Sequence, residues 1–399
     1  ANSITVDSDG QGSSVVNAND GAMLASFTAD IDFDVSDTAA NIAAQVASGV
    51  ASGSGPDSLD EADSVFVESG TAVTAAQAES VQDLINYSGG DIDILDSASN
   101  LISAGDHVLN VNGVDVVTAS DTSVNANIGA DLAGFTADIE FDVVDNVAGL
   151  IAEMGGADVA GHLTEANSIT VDSDGQGSSV VNASDGAILA GFTADVDFDV
   201  VDNANAVAAE ITGAGNGLGD LNEAADVVVI SGDVGTADAA AIQQISEYND
   251  SGSSYEITDN AAAVISAGDS VIENDGVSLV EVTGNATALE GVSLNTYSAN
   301  VDFDVSDTAD AIAANSGNLG KADEVFVVSG GAAVDVAEAQ AIQGLVGYQT
   351  GASEYEIEDN AAALISAGDG VLTNGNISVD VNDASTGSVV NANDGAMLA

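Results

Sequence analysis

Apolar residues along the chain follow two alternating patterns. Short runs rich in Val and Ile have the length and the β-branched content of buried strands, and they lie at residues 65–68, 227–230 and 325–328. After each run, apolar residues recur at spacings of three and four, which is the period of one helix face. These stretches cover residues 74–87, 237–248 and 336–348. The pattern predicts a strand followed by a helix, repeated along the chain.

A second strand and a second, shorter helix are predicted after each of these helices. The strands begin at Ile92, Tyr255 and Tyr355, and each short helix ends at an Ala-Gly pair. An aspartate, followed by Ser, Thr or Asn, stands at each strand-to-helix junction. Because a carboxylate accepts hydrogen bonds from the free N–H groups of a first helical turn, the sequence predicts N-caps at these aspartates. The seven positions are Asp37, Asp96, Asp145, Asp202, Asp259, Asp307 and Asp359.

The chain also repeats itself over longer distances. The segment TADIDFDVSDTAANIAAQ at residues 28–45 returns in variant form at 136–153, 193–210 and 298–315, and the phenylalanines of these copies are 108, 57 and 105 residues apart. The last twelve residues repeat residues 14–25 at an offset of 374. We therefore expect a superrepeat of 374 residues, with three long modules and one short module, in a chain that was cut from, or stacks into, a longer periodic array.

The repeats set the expected module boundaries. Residues 1–26 are the end of a preceding repeat, residues 27–134 form a long module and residues 135–191 form the short module. Residues 192–296 form another long module, and residues 297–399 form a long module that runs into the next superrepeat.

Strand, aspartate, helix and glycine in regular succession are typical of an α/β fold of the solenoid kind. The expected architecture is a repetitive βα solenoid-like array with short parallel strands and short helices, because right-handed crossovers align successive strands in parallel. The alternative is a row of tandem small α/β or β-sandwich domains. The 57-residue spacing of the short module favours the solenoid, since a solenoid can lose coils without losing its core whereas a halved domain cannot fold.

The net charge of the chain limits the classes of partner that it can bind. The chain has 66 Asp and Glu residues against one Lys and no Arg, a formal charge of -65. Such a field repels nucleic acid and anionic membrane surfaces, and no apolar run reaches the roughly 18 residues that span a bilayer. Bound cations or high salt relieve the repulsion. We therefore expect no nucleic acid partner, no membrane insertion, an extracellular or saline setting, and Ca²⁺ as a bound cation. The 45% of hydrophobic residues indicates a folded core despite the charge.

Alternating aspartates in one predicted strand are a first candidate for metal binding. In ADIDFDV, the side chains of Asp30, Asp32 and Asp34 lie on one face, because side chains alternate along a strand. Aspartate is a poor strand former, so three in alternation suggest a purpose. They either coordinate Ca²⁺, which binds six to eight oxygens, or form a solvated acidic face. The sequence leaves both interpretations open.

The sequence VDSDGQGSS, which occurs twice, is a second candidate. It lies at residues 6–14 and 171–179 and matches the opening of a calcium loop of the form D-x-[DN]-x-[DN]-G. Position twelve of that loop is an alanine here, so a bidentate Glu is missing, and a ligand from a neighbouring segment must replace it. The alternative is an ordinary Asp-Gly turn. The candidate ligands are Asp7, Asp9, Gln11 and Asp20 in the first copy, and Asp172, Asp174, Gln176 and Asp185 in the second.

An enzyme is not expected. His107 and His162 lie in non-equivalent modules, and neither accompanies a nucleophile or the spacing of a zinc site. Lys321 is the single basic side chain apart from the histidines, which is too little for a site that cleaves an acidic polysaccharide. No cysteine is present, so there is no disulfide.

The segment DTAANIAA at residues 37–44 resembles repeats of giant secreted bacterial proteins, the cell-surface and adhesin-like repeat proteins of marine and other Gram-negative bacteria. The resemblance implies an extracellular scaffold that is often loaded with calcium, although the GGxGxD nonapeptides of many such proteins are missing here. We expect a structural protein of a surface fibre, filament, stalk or layer, which joins copies of itself end to end. The alternative is an adhesin module that binds glycan or another surface ligand.

Overall fold

The computed structural model describes residues 4–52, 59–154, 162–191, 195–212 and 221–382. These residues form a mixed α/β fold of short parallel strands and short helices, as the sequence predicts. The chain divides into two compact units. The first comprises Ala1–Val180 and Ile188–Phe198, and the second comprises Val181–Ala187 and Asp199–Ala399.

The described residues contain 22 strands, most of them of two to six residues. The first eleven are β1 (Ile4–Thr5), β2 (Val15–Val16), β3 (Ile31–Asp32), β4 (Asp34–Thr38), β5 (Ser64–Glu68), β6 (Tyr87–Gly90), β7 (Ile92–Asp96), β8 (Val114–Ala119), β9 (Ile139–Glu140), β10 (Asp142–Asp145) and β11 (Ser168–Val171). The others are β12 (Val180–Val181), β13 (Val196–Asp197), β14 (Asp199–Asp202), β15 (Asp226–Val229), β16 (Asp233–Val234), β17 (Tyr255–Asn260), β18 (Val277–Ala286), β19 (Val301–Asp307), β20 (Val325–Val327), β21 (Glu354–Asp359) and β22 (Asn376–Val381).

Short α-helices separate the strands. In the first half of the chain they are α1 (Ala18–Ala25), α2 (Ala39–Ser52), α3 (Ala75–Gln82), α4 (Ala98–Ala104), α5 (Asp106–Leu109), α6 (Ala126–Ala133), α7 (Val147–Met154) and α8 (Ala183–Leu189). In the second half they are α9 (Ala204–Thr212), α10 (Thr236–Ile242), α11 (Ala261–Ala267), α12 (Asp269–Ile272), α13 (Ala288–Leu294), α14 (Ala309–Asn315), α15 (Val336–Gln343), α16 (Ala361–Ala367) and α17 (Asp369–Leu372). Short 3₁₀ turns lie at His162–Glu165, Leu221–Glu223, Asp250–Gly252 and Ser316–Asn318.

In the first unit, each strand pairs in parallel with a strand from the next repeat of the chain. The sheets have the orders β1-β3, β2-β4-β5-β6, β7-β8-β9 and β10-β11-β13. In register, Val35 lies opposite Val65, and Val143 lies opposite Ile169. Single parallel bridges from Val73 to Ile94 and from Val124 to Val143 extend this pairing.

The second unit follows the same rule. Its sheets have the orders β12-β14-β15, β16-β17-β18-β19-β20 and β21-β22, and their described pairings are parallel. Parallel bridges from Val227 to Tyr248, from Val325 to Tyr348 and from Val334 to Ile357 connect further segments. No described sheet in either unit closes into a barrel.

The core lies between the strands and the helices that neighbour them. Phe33, Phe198 and Phe303 are almost completely buried, together with the inward valines of their strands. Helices approach these strands closely where the helix carries glycine. A Cβ on Gly21 would lie 2.7 Å from Val35 Cγ2, and one on Gly291 would lie 2.9 Å from Val305 Cγ2. Small residues therefore let each helix pack directly on its strand, which agrees with the Ala- and Gly-rich composition.

Three helices end earlier than the sequence predicts. The predicted helices continued to Tyr87, Tyr248 and Tyr348, but α3 ends at Gln82, α10 at Ile242 and α15 at Gln343. Tyr87 is the first residue of β6, and Tyr248 and Tyr348 bridge to the preceding strands. These tyrosines fit the helical spacing of the residues before them, but they pair with strands instead. Backbone hydrogen bonds between the paired segments therefore override the helical period at these positions.

The junction aspartates do not cap the helices that follow them, so that prediction was wrong in detail. The capping side chain belongs to the next residue where one is formed, such as Ser97, Asn260 or Asn360. Each aspartate instead joins two neighbouring segments of the ladder. Asp96 Oδ1 accepts a hydrogen bond from the Ser97 N–H (2.8 Å), while its Oδ2 accepts one from the N–H of Ala75, the first residue of α3 (3.0 Å).

All seven aspartates make the second contact with the helix one repeat earlier. The seven Oδ2 atoms, of Asp37, Asp96, Asp145, Asp202, Asp259, Asp307 and Asp359, accept hydrogen bonds at 2.9 to 3.3 Å from the N–H groups of Ala18, Ala75, Ala126, Ala183, Thr236, Ala288 and Val336 respectively. Burial raises the pKa of Asp96 and Asp259, but hydrogen bonds from neighbouring N–H and hydroxyl or amide groups outweigh burial and hold the pKa of each below its usual value. These carboxylates are therefore structural anions placed at positive helix ends.

Candidate functional site

The first VDSDGQGSS loop connects β1 to β2 and is closed by its own carboxylates. Asp7 Oδ1 accepts a hydrogen bond from the Gly12 N–H (2.8 Å), and Asp9 Oδ1 accepts from Gln11 (2.7 Å) and Ser13 (3.2 Å). The Ser8 N–H donates to the Ser13 carbonyl (2.8 Å), which closes the base of the loop. Each aspartate thus uses one oxygen to hold the turn.

The second loop, between β11 and β12, repeats this geometry. Asp172 Oδ1 accepts from the Gly177 N–H (2.8 Å), and Asp174 Oδ1 accepts from Gln176 (2.8 Å) and Ser178 (3.2 Å). Its glycines at 175 and 177 have φ values of +71° and +91°, a conformation that favours glycine and forms the sharp turn of the motif. The identical sequences therefore adopt the same loop in both places.

Backbone hydrogen bonds lower the pKa of one carboxylate in each loop. The N–H groups of Gln11 and Ser13 lower the pKa of Asp9 below its usual value, and the Gly177 N–H is the main cause of the lowered pKa of Asp172. An ionised carboxylate with one oxygen engaged in the turn has a second oxygen to offer a cation. An Asp-Gly turn without a cation has the same hydrogen bonds, so the geometry is compatible with both interpretations.

The structure does not bring Asp20 and Asp185, the predicted additional ligands, into these loops. Asp20 lies in the first turn of α1, where its N–H donates to Asn17 Oδ1 (2.8 Å) and its Oδ2 accepts from Asn17 Nδ2 (2.9 Å). Asp185 makes the same two contacts with Asn182 in α8. Among the described residues, neither aspartate joins its loop in a group of three carboxylates whose oxygens lie within 4.8 Å. The side chains of Gln11 and Gln176 are exposed.

The alternating aspartates lie where the strand pattern predicts. Phe33 and Val35 are buried, whereas Asp32 and Asp34 are only partly covered and Asp30 is exposed just before β3. Asp34 Oδ2 accepts a hydrogen bond from Ser14 Oγ (2.6 Å), which links this strand to the end of the first loop. In the described part of the chain these three aspartates do not form a compact group of ligands.

A different acidic cluster was missed by sequence reasoning. Ligand atoms of Asp91, Asp93 and Asp115 lie within 4.8 Å of one another, at the start of β7 and β8. Burial is the largest cause of the raised pKa of Asp93, followed by the charges of Asp91 and Asp115. The alternation in DID at residues 91–93 was a visible signal, but the contribution of Asp115 depends on the parallel register of β7 with β8. Exposed acidic groups often cluster in this way without binding a metal.

The residues considered for catalysis have different local neighbours. His107 is exposed, and its Nε2 lies 3.6 Å from Glu79 Oε1. His162 begins a short 3₁₀ turn, and the placement of its side chain lies outside the described residues. Lys321 Nζ donates to the Tyr297 carbonyl, and the Lys321 N–H donates to Asn295 Oδ1 (3.1 Å).

Two polar grooves occupy equivalent places in the second unit. One has a volume of about 510 Å³ and is lined by residues that include Gly330, Glu356 and Ser378. The other, of about 380 Å³, includes Gly232, Glu256 and Ser278. In each groove a Ser-Gly turn follows a strand, so the repeat of the sequence produces a repeat of the groove.

Comparison with known proteins gives no family for this chain. No protein-family model matches the sequence, and no curated protein matches it either. None of the helices in the described ranges has the length and apolar character needed to cross a membrane.

Proposed function

We propose that this chain is a structural repeat protein of the cell exterior, in which a βα solenoid provides the rod of a surface fibre, filament, stalk or layer. The observation that carries the proposal is the aspartate bridge, which recurs seven times with the same atoms and joins each repeat to the previous one. Such a bridge stabilises the stacking of successive repeats and does not build a single localised site. A scaffold protein requires stabilisation of this distributed kind.

Two features support the solenoid in this proposal. Each strand hydrogen-bonds to a strand of the neighbouring repeat, so stability is distributed over nearest-neighbour contacts. Each aspartate Oδ2 then accepts a hydrogen bond from the N-terminus of the helix in the preceding repeat, where the helix dipole favours an anion. The stack can therefore grow by repetition without a closing element.

The charge of the chain supports a role for cations. With a formal charge of -65, the folded state carries a large self-repulsion that bound Ca²⁺ or concentrated salt relieves. The two VDSDGQGSS loops present ionised carboxylates on the surface, and they are our candidates for calcium ligation. The end-to-end assembly is motivated by the sequence repeat at an offset of 374, although residues 388–399 lie outside the described residues.

The test of cation stabilisation is a melting series. We expect the melting temperature to rise in Ca²⁺ and to fall in chelator. If molar NaCl restores the chelated protein as well as Ca²⁺ does, charge screening is the cause. If Ca²⁺ alone restores it, site binding is the cause. A melting temperature that is the same in all of these solutions contradicts the proposed role of cations.

A variant pair assigns the calcium effect to the loops. The double substitution Asp9→Asn and Asp174→Asn keeps an oxygen that can accept the turn hydrogen bonds but removes two charges. We expect it to abolish calcium binding measured by titration calorimetry. The control, Asp83→Asn with Asp131→Asn, removes two exposed charges from helix regions and should leave calcium binding intact. Equal loss in both variants would show that net charge, not the loops, determines binding.

The equivalent grooves favour a second candidate, an adhesin module. Their polar lining of serine, glutamate and backbone groups suits a hydroxyl-rich ligand such as a glycan. Binding to a glycan array that is lost in Glu256→Gln with Glu356→Gln would support this function over a purely structural one. For either function, surface labelling of intact cells tests the proposed extracellular location.

A further inference from the structure

Each of the two grooves at the Ser-Gly turns has one exposed aliphatic side chain beside its polar groups. Ile230 borders the groove of about 380 Å³ and is 56% exposed, and Val328 borders the groove of about 510 Å³ and is 44% exposed. We call them the Ile230 groove and the Val328 groove. Both residues stand directly before the serine of the turn, so the aliphatic wall recurs at the same place in the repeat.

The first unit has the same turn without this aliphatic wall. At Ser69 and Gly70, the residue before the serine is Glu68. Its Oε1 accepts a hydrogen bond from Ser36 Oγ of β4 (2.7 Å), so a polar contact with the neighbouring strand holds this side chain. An exposed aliphatic residue is therefore not needed to form the turn, and its presence in the second unit calls for another explanation.

Each groove also contains two exposed carboxylates. Asp233 and Glu256 line the Ile230 groove, where they lie opposite each other in the parallel register of β16 and β17. Glu354 and Glu356 line the Val328 groove and lie on the same face of β21. Within the described ranges, no group donates a hydrogen bond to these four side chains. They therefore differ from the junction aspartates, whose oxygens are used to join the repeats.

An aliphatic wall beside paired carboxylates fits a long basic side chain. Lysine and arginine have an apolar stem that packs on apolar surface and a cationic head that stays among polar groups. The stem can lie along Ile230 or Val328 while the head contacts the two carboxylates. Like charges that face each other across a strand pair destabilise it, and a cationic head between them offsets the repulsion. A metal ion makes no use of the aliphatic wall, and a neutral glycan leaves the charges uncompensated.

A second copy of these residues cannot supply the basic side chains. The 399 residues contain one lysine and no arginine. The single lysine, Lys321, is already engaged, because its Nζ donates to the Tyr297 carbonyl. The formal charge of -65 attracts a basic partner and repels an acidic copy of the same chain. Charge complementarity therefore points to a different protein with an exposed basic segment.

We propose that the Ile230 groove and the Val328 groove bind lysine or arginine side chains from a basic segment of a partner protein. The inference goes beyond the proposed scaffold function, because it names a surface by which the scaffold holds another protein and the chemistry of that protein. It depends neither on calcium ligation by the VDSDGQGSS loops nor on end-to-end assembly.

Two peptides of equal charge test the aliphatic wall. Hexalysine and hexaornithine carry the same number of ammonium groups, but each ornithine stem is one methylene shorter. In fluorescence anisotropy with labelled peptides at physiological salt, we expect hexalysine to bind about threefold more tightly, because the longer stem buries more apolar surface. Ile230→Ser with Val328→Ser leaves the charge of the chain unchanged and should remove this preference.

A pair of charge variants tests the carboxylates. Glu256→Gln with Glu356→Gln should weaken hexalysine binding by about tenfold, because each groove loses one of its two charges. The control, Glu61→Gln with Glu247→Gln, removes two exposed charges outside the grooves and should weaken binding by less than about twofold. All four positions are exposed, and circular dichroism verifies that both variants are folded.

Three results would overturn the inference. Equal weakening in both charge variants would show that the net charge, and not the grooves, attracts the peptide. Equal affinity for hexalysine and hexaornithine would show that the aliphatic wall does not contribute. Binding of a neutral oligosaccharide that is lost in Glu256→Gln with Glu356→Gln, without any hexalysine binding, would assign the grooves to a glycan. None of these results bears on the scaffold, whose cation dependence the melting series tests separately.

Discussion

Two equivalent regions of the molecule connect a tyrosine to the next strand in different ways. Between its tyrosine and its next strand, the first region has the sequence YSGGD at residues 87–91, and the second has YNDSGSS at residues 248–254. The first is a direct strand, and the second is a longer turn that includes the 3₁₀ segment Asp250–Gly252. In both regions an N–H group after the gap donates to the same kind of valine carbonyl, Asp91 to Val67 (3.1 Å) and Ser254 to Val229 (2.6 Å).

The first region uses glycine to let two backbones approach. Gly90 pairs with Val67 and has a φ of +149°. A Cβ at this position would collide with the Val67 carbonyl oxygen and lie 2.6 Å from Val67 Cβ. Only glycine fits both the space and the conformation.

The second region uses a buried serine hydroxyl in place of the close backbone contact. Ser253 Oγ accepts a hydrogen bond from the Val229 N–H (2.9 Å) and donates to the Asn249 carbonyl (2.7 Å). Ser353 does the same for Val327 (3.1 Å) and Gln349 (2.8 Å) in the last module. The repeats therefore preserve the hydrogen bonding between neighbouring strands, although the local sequences differ.

The largest expected effect is that of Gly90→Ala. The added methyl group must displace the Val67 backbone and hold a disfavoured φ, so we expect a loss of about 3 kcal/mol in the free energy of unfolding. Urea unfolding followed by circular dichroism measures it, with hydrogen exchange at β5 and β6 to locate the change. The control Gly351→Ala has open space around its Cβ position and should change stability little. If the loss of unfolding free energy is no larger than in the control, the backbone at β5 and β6 shifts to accommodate the methyl group.

A smaller loss is expected when the hydroxyl is removed from the second region. Ser253→Ala leaves the buried Val229 N–H without its acceptor, at a cost of about 1–3 kcal/mol. Ser353→Ala should cost a similar amount at Val327, and the exposed Ser251→Ala provides the control. We expect faster amide hydrogen exchange at Val229 in Ser253→Ala but not in the other two variants, because only Ser253→Ala removes the acceptor of that N–H group. Unchanged exchange there would mean that water or a backbone shift replaces the hydroxyl.

A third prediction compares two partly buried glutamines. Gln243 Nε2 donates to Tyr255 Oη (2.8 Å) and the Val271 carbonyl (3.1 Å), whereas Gln82 Nε2 reaches only the Val108 carbonyl (3.0 Å). Ile92 takes the place of the tyrosine in the first region, and Gln82 Oε1 is buried there without a partner.

We therefore expect Gln243→Leu to cost about 1–2 kcal/mol and Gln82→Leu to be nearly neutral. Thermal unfolding of the two variants measures the difference. Equal costs would contradict the assignment of the tyrosine hydroxyl as the stabilising partner.

The smallest expected effect depends on pH. The pKa of Asp93 is raised, so its contribution to stability is present below the usual aspartate pKa and is lost as pH rises through the higher pKa of the folded state. In chelator, Asp93→Asn should then stabilise the protein by about 0.5 kcal/mol at neutral pH and leave it unchanged in acid. The matched Glu256→Gln, whose neighbouring positions are Ser254 and Ser278, should have less effect. Stabilisation that is the same at both pH values would exclude charge repulsion as the cause.

Much of the local structure could be predicted from the sequence. The runs at residues 65–68 and 227–230 correspond to β5 and β15, and the Ala-Gly pairs at Gly105, Gly268 and Gly368 end α4, α11 and α16. The alternation of Asp32, Phe33 and Asp34 correctly predicted which side chains are buried. These features depend on the period of a few residues and on glycine conformation, which neighbouring residues determine.

The sequence by itself therefore determined the repeated alternation of strands and helices, the acidic charge, and the two loops with their identical turns. Only the tertiary structure decided that Asp96 Oδ2 binds the N-terminus of α3 rather than that of α4. It also brought Asp115 to Asp91 and Asp93, and it assigned Tyr87 to a strand. The physical reason is that these contacts depend on the parallel register between segments about twenty residues apart, and the free energy of that register comes from hydrogen bonds and packing that no single segment contains.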